Sequence, residues 1–109
     1  MYAKDIDKGR FNFTGIAADM GVFRTPNLRN VALRTEYMHD GRFKTLEEVV
    51  DFYDHQVHMG VKNVDPIMVK PAKLQNNGLK LTDIEKQQLV AFLKTLTDDD
   101  FTTNSYFKP

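Results

Sequence analysis

Two stretches of the chain carry a helical period. Leu46, Val49, Val50 and Tyr53 fall at i, i+3, i+4 and i+7, so they form one apolar stripe on a helix ending near His55. Thr45-Leu46-Glu47-Glu48 opens it as a capping box, with Thr45 capping the amides and Glu48 reaching back. A second box, Thr82-Asp83-Ile84-Glu85, opens the longest periodic stretch. Ile84, Leu89, Phe92, Leu93 and Leu96 make its expected buried face, and the acidic run Thr97 to Asp100 ends it. Thr25-Pro26 places a proline at a first helical position, which predicts a short helix over about Pro26 to Ala32 flanked by Asn30 and Arg34.

The remainder is aperiodic. Residues 1–24, punctuated by Gly9, Gly15 and Gly21, read as extended loop. Tyr37-Met38-His39-Asp40-Gly41 contains the Asp-Gly turn signal. Gln56 to Lys80, with Pro66, Pro71 and Asn76-Asn77-Gly78, reads as a long wrapping loop, which in a compact domain points to function or to a missing partner surface. The aromatic tail of Phe101, Tyr106 and Phe107 should pack on something. The elements therefore predict a small, mostly helical domain with long irregular loops.

Composition narrows this picture. Fifteen Lys+Arg balance fifteen Asp+Glu over 109 residues, so there is no electrostatic drive toward nucleic acid or an anionic membrane. At 41% hydrophobic, a chain of this size is marginal unless something else fills its centre, and a haem would be such a filler. No apolar run reaches the roughly 18 residues needed to span a bilayer. The absence of cysteine rules out disulfides, thiol chemistry, Cys-based zinc sites and covalent haem attachment through C-x-x-C-H within this chain. There is no G-x-S-x-G, P-loop or G-x-G-x-x-G motif.

Three groups of residues could carry chemistry. His39 lies in a polar turn between aromatics, and either hydrogen-bonds that turn or serves a site. His55 and His58, three apart, could clamp a metal from one helical face, or could be two solvated histidines beyond a helix end, since no third ligand is evident. By pattern, Tyr53 is a core aromatic. Asp98-Asp99-Asp100 does not have the spacing of an EF-hand loop and reads as a solvated helix terminus.

Four segments carry a resemblance: Gly21-Val22-Phe23-Arg24-Thr25-Pro26-Asn27-Leu28-Arg29-Asn30-Val31, Tyr37-Met38-His39-Asp40-Gly41-Arg42-Phe43, Thr45 through Tyr53, and Leu81 through Thr97. In this order and spacing they resemble the C-terminal haem domain of the bacterial di-haem cytochrome c peroxidases, including the di-haem enzyme that matures a tryptophylquinone cofactor. The resemblance covers nearly the whole chain. It implies an all-α, cytochrome c-like fold that is incomplete, with residues 1–109 forming the part of the second haem domain downstream of its C-x-x-C-H.

The resemblance also implies a function. The parent would reduce hydrogen peroxide with electrons from a small c-type cytochrome or similar donor, in the periplasm. This portion would pack on the electron-transfer haem, partnered by the N-terminal haem domain of the same parent, and would be inactive alone. At the position where the peroxidases carry a distal methionine ligand this chain has Tyr53, as the quinone-maturing enzyme does; Met59 and Met68 are the fallback ligands. Tyrosinate is a hard anion that favours ferric iron and lowers the potential relative to methionine. Arg29 and His39 match residues near the haem edge and its propionates, where a guanidinium suits a carboxylate. Calcium is implied too, through the main-chain carbonyls of Arg34 and Glu36. The alternatives are a di-haem oxidase of the tryptophylquinone-maturing type, or a non-haem helical interaction module. Without haem, the uncovered apolar faces are expected to drive self-association.

Overall fold

The computed structural model describes residues 7–57, 64–69 and 78–107. Among these the regular elements are helical: α1 (Phe11–Thr14), α2 (Leu46–His55), α3 (Asp83–Thr95) and α4 (Asp99–Thr103), with 3-10 turns at Ala17–Asp19, Val31–Leu33 and Ser105–Phe107. Extended pairing among the described residues is confined to two isolated bridges, Gly9 with Val22 and Tyr37 with Phe43.

Internal contacts divide the chain into two units, one of residues 26–51 and 81–109, the other of residues 1–25 and 52–80. In the first unit, both capping boxes form. The Thr45 hydroxyl accepts the Glu48 N–H at 3.2 Å, and the Glu48 carboxylate accepts the Thr45 N–H at 3.1 Å. Thr82 and Glu85 repeat this at 3.3 and 2.8 Å. Each satisfies donors that a helix start leaves open, worth about 1 kcal/mol per cap. The core is Tyr37, Leu46, Val50 and Val90, with Val31, Phe43, Val49, Leu81 and Leu93 packed against it. Lys86 of α3 pairs with Asp51 of α2 at 2.7 Å.

Two expectations for this unit need correcting. The predicted helix over Pro26 to Ala32 does not form. Asn30 adopts the left-handed region (φ 58°), which breaks any helix, and only the 3-10 turn Val31–Leu33 follows. On α3 the buried residue is Val90, whereas Ile84, Leu89 and Phe92 are 67%, 40% and 56% exposed. The apolar arc of α3 is wider than the α2 side can cover, so only the line through Val90 and Leu93 is used. The acidic run follows the end of α3 as expected, with Asp99 and Asp100 exposed, and it also starts the next helix. Asp98 caps α4, its carboxylate accepting the Phe101 N–H at 3.0 Å, and Asp99 and Asp100 lie in the first turn, where the helix dipole favours them. In the tail, Phe101 and Phe107 pack on each other, with ring centroids 5.3 Å apart.

In the second unit the N-terminal stretch is not simply extended. It holds α1 and the Ala17–Asp19 turn, closed by Arg10 N–H to Val22 O at 2.9 Å and Gly21 N–H to Lys8 O at 3.0 Å. The last turn of α2 belongs to this unit, as does the segment 78–80 that returns to it.

Candidate functional site

Tyr53 sits in the last turn of α2. The expected stripe makes it a buried core aromatic; instead the buried line runs through Leu46, Val50, Asp54 and Val57, and Tyr53 is 39% exposed. The reason is local. The segment that covers this turn arrives over Asp54, whose carbonyl accepts the Leu79 N–H at 3.0 Å, and leaves the tyrosine side open. The Tyr53 ring meets Phe52 edge-on, centroids 5.4 Å apart at 78°. Partial burial raises its phenol pKa, and no hydrogen bond from its hydroxyl to another described residue is present. The result is a phenol oxygen on a partly open aromatic surface, one of several donor types that a haem iron accepts.

Beside it, the Asp54 carboxylate is fully buried, with one oxygen 3.3 Å from Nδ1 of the exposed His55. His58 and Met59 lie outside the described residues. Met68, 37% exposed, follows a turn in which its N–H donates to Asp65 O at 2.9 Å.

In the other unit, His39 is exposed at the apex of the turn closed by the Tyr37 N–H to Phe43 O bond of 2.9 Å. Tyr37 anchors this turn to the core, its hydroxyl donating to Val31 O at 3.0 Å. Oδ2 of Asp40 accepts from Arg42 Nε at 2.8 Å and Nη2 at 2.6 Å, and Oδ1 accepts from Nε at 3.0 Å; these bonds hold the Asp40 carboxyl below its ordinary value. Lys44 binds the Glu36 carboxylate and donates to Gly41 O at 3.2 Å. Arg34, Glu36, Met38, His39 and Asp40 line an open polar concavity. No group of three or more His, Asp or Glu side chains able to hold a metal occurs among the described residues, so the side chains add no ligand set to the Arg34 and Glu36 carbonyls.

Arg29 is exposed, and its backbone is tightly fixed. Its N–H donates to Asn27 Oδ1 at 2.7 Å, and the next residue, Asn30, reaches the end of α3. The Asn30 N–H donates to Leu96 O at 3.0 Å and its Oδ1 accepts the Asp98 N–H at 2.6 Å. Asn30, Asp54 and Gly78 play structural parts that the residue pattern does not announce. For Asn30 a signal existed, since asparagine is enriched in left-handed positions. For Gly78 the Asn-Asn-Gly run was legible as a turn, but not what the turn touches. Nothing in the pattern marks Asp54 as buried.

No family model matches the chain. It is 40% identical over 95 residues to the cytochrome-c peroxidase IdrP1 of Pseudomonas sp. (strain SCT), covering 87% of this chain and 23% of that protein. It is 38% identical to the cytochrome c551 peroxidase of Nitrosomonas europaea, over 84% of this chain and 22% of that one. With the methylamine utilization protein MauG of Paracoccus denitrificans it shares 36% identity over 88% of this chain and 28% of MauG. Among solved structures it is similar to a MauG-like protein associated with microbial copper homeostasis, with TM-score 0.71 and 37% identity over 95% of this chain and 35% of that one.

Helices, loops and matched sequence together define an all-α, cytochrome c-like fold. The proteins it is related to are the di-haem cytochrome c peroxidases and the MauG proteins, and the chain spans about a quarter of the length of the curated relatives it matches. No described helix is long and apolar enough to cross a membrane.

Proposed function

We propose that this chain is the part of a periplasmic di-haem peroxidase-type protein that packs against the electron-transfer haem and supplies its axial ligand through Tyr53. The observation that carries this reading is the Tyr53 phenol, 39% exposed at the end of an otherwise well-packed helix, in a chain with this relatedness. Haem, when bound, supplies the one-electron redox chemistry. The chain's own residues bind and orient it. Tyr53 would offer its phenol oxygen, and the positive charge of a bound iron would oppose the burial that raises the phenol pKa. By the resemblance, Arg29 would offer a guanidinium to a propionate and His39 would serve the haem edge. Neither moves a proton on peroxide. The Arg34 and Glu36 carbonyls are two ligands for a calcium completed by another part of the parent. Peroxide and a small c-type cytochrome donor are the substrates of the intact protein; the chain alone turns nothing over.

A tyrosine in place of methionine favours a second reading, a quinone-maturing type of oxidase, because a tyrosinate-ligated iron is a poorer acceptor for a donor cytochrome. The two are separated by whether reduced c-type cytochrome supports peroxide reduction by the intact parent.

The test of the ligand is Tyr53→Met in the intact haem-loaded protein. Ligation predicts a large upward shift in one haem potential and loss of the phenolate-to-iron absorption band. An unchanged potential and spectrum would overturn it and move attention to Met59 and Met68.

A further inference from the structure

A ligand is useful only if its donor atom is held still, and among the described residues the one ring contact of Tyr53 is with Phe52. Its ring touches Phe52 by one edge and is 39% exposed. It also lies in the final turn of a helix, the region that frays first. Restraint of its backbone therefore bears directly on where the phenol points.

The last four carbonyls of a helix lack intrahelical partners. On α2, the Phe52 carbonyl accepts the Gln56 N–H at 2.8 Å, while the Asp54 carbonyl is met from far along the chain by the Leu79 N–H at 3.0 Å. Gly78 makes this approach feasible. It is buried, with φ +95°, and a Cβ added there would overlap the Asp54 carbonyl oxygen, stand 2.9 Å from the Asp54 carbonyl carbon and 3.4 Å from His55 Cα. The glycine backbone thus lies flush on the helix end, one residue past the tyrosine. The Asp54 side chain, in the same turn, is 0% exposed.

We propose that Gly78 and Leu79 are positioning residues: they clamp the last turn of α2 through the Asp54 carbonyl and thereby fix the direction in which Tyr53 presents its phenol. In this role both would act through the helix end and not by contact with the haem. The inference rests on the reading of Tyr53 as a ligand, and the test keeps the two apart.

The experiment compares Gly78→Ala, Gly15→Ala and Tyr53→Met in the intact haem-loaded protein, read by the phenolate-to-iron band and the haem potential. Gly15 is the control. It too has a positive φ, +66°, but a Cβ there meets nothing within 4 Å, so its replacement reproduces backbone strain without the collision. The expected result is that Gly78→Ala weakens or shifts the band and raises the potential in the direction of Tyr53→Met, while Gly15→Ala leaves both unchanged. A Gly78→Ala protein with the parental band and potential, beside a Tyr53→Met protein that has lost them, overturns the clamp and leaves the ligand standing. A Tyr53→Met protein with no change overturns both. Should Gly78→Ala fail to accumulate with haem, hydrogen exchange on the parental protein decides. Protection of the Leu79 amide equal to that of the Gln56 amide supports the clamp, and exchange at the rate of unstructured chain overturns it.

Discussion

Replacing Asn30 tests how the residue beside Arg29 is held. Asn30 does two things at once: it occupies a left-handed backbone position (φ 58°, ψ 22°), and its Oδ1 accepts the Asp98 N–H at 2.6 Å where α3 gives way to α4. Asn30→Ala loses both. The left-handed conformation costs an ordinary side chain about 1 kcal/mol. The hydrogen bond contributes about 1 kcal/mol net, the modest end being appropriate because Asp98 is only half-buried and water recovers part of its donor. The sum is about 2 kcal/mol, or roughly 10 °C in melting temperature for a unit of this size. Asn30→Gly keeps the backbone freedom and loses only the acceptor, so it should cost about 1 kcal/mol plus the few tenths that a more flexible unfolded chain adds. Guanidinium unfolding of the haem-loaded protein, followed by far-ultraviolet circular dichroism, measures both variants against the parent at unchanged m-value. The expected order is parent, Gly, Ala. An alanine variant within about 0.5 kcal/mol of the parent, or a glycine variant less stable than the alanine one, would refute the two-part account.

Leu46→Ala should cost about 2–5 kcal/mol by opening a cavity in the core shared with Tyr37, Val50 and Val90, a loss visible in the same unfolding experiment; a cost below 1 kcal/mol would place that core elsewhere. Asp40 should titrate below the ordinary aspartate value because of its hydrogen bonds to Arg42, and Arg42→Ala should return it to that value when followed by carboxyl NMR. Because a depressed carboxyl stabilises the fold above its unfolded value and loses that contribution as pH falls through the folded one, any effect lies on the acid side. It should also be small, since both partners are well exposed.

What the sequence by itself determined is local. A Thr followed three residues later by Glu satisfies a helix start from within one turn of chain, so both capping boxes and both long helices were legible before any fold was known. The Asp-Gly turn and the four-segment resemblance were legible for the same reason: each depends on residue identity at short, fixed spacing. Which apolar residues are buried was not legible, because that depends on what arrives from elsewhere. The pattern put Tyr53 inside and said nothing of Asp54; the segment at Gly78 and Leu79, over twenty residues further along, covers Asp54 and leaves Tyr53 open. The apolar arc on α3 likewise exceeds what α2 and the Tyr37 turn can cover, so Val90 is buried while Leu89 and Phe92 are not. Asn30 shows the same division. Its type permits a left-handed backbone, but only the tertiary structure brings the end of α3 to it, and that long-range hydrogen bond is why Pro26 to Ala32 does not become the helix its proline suggests.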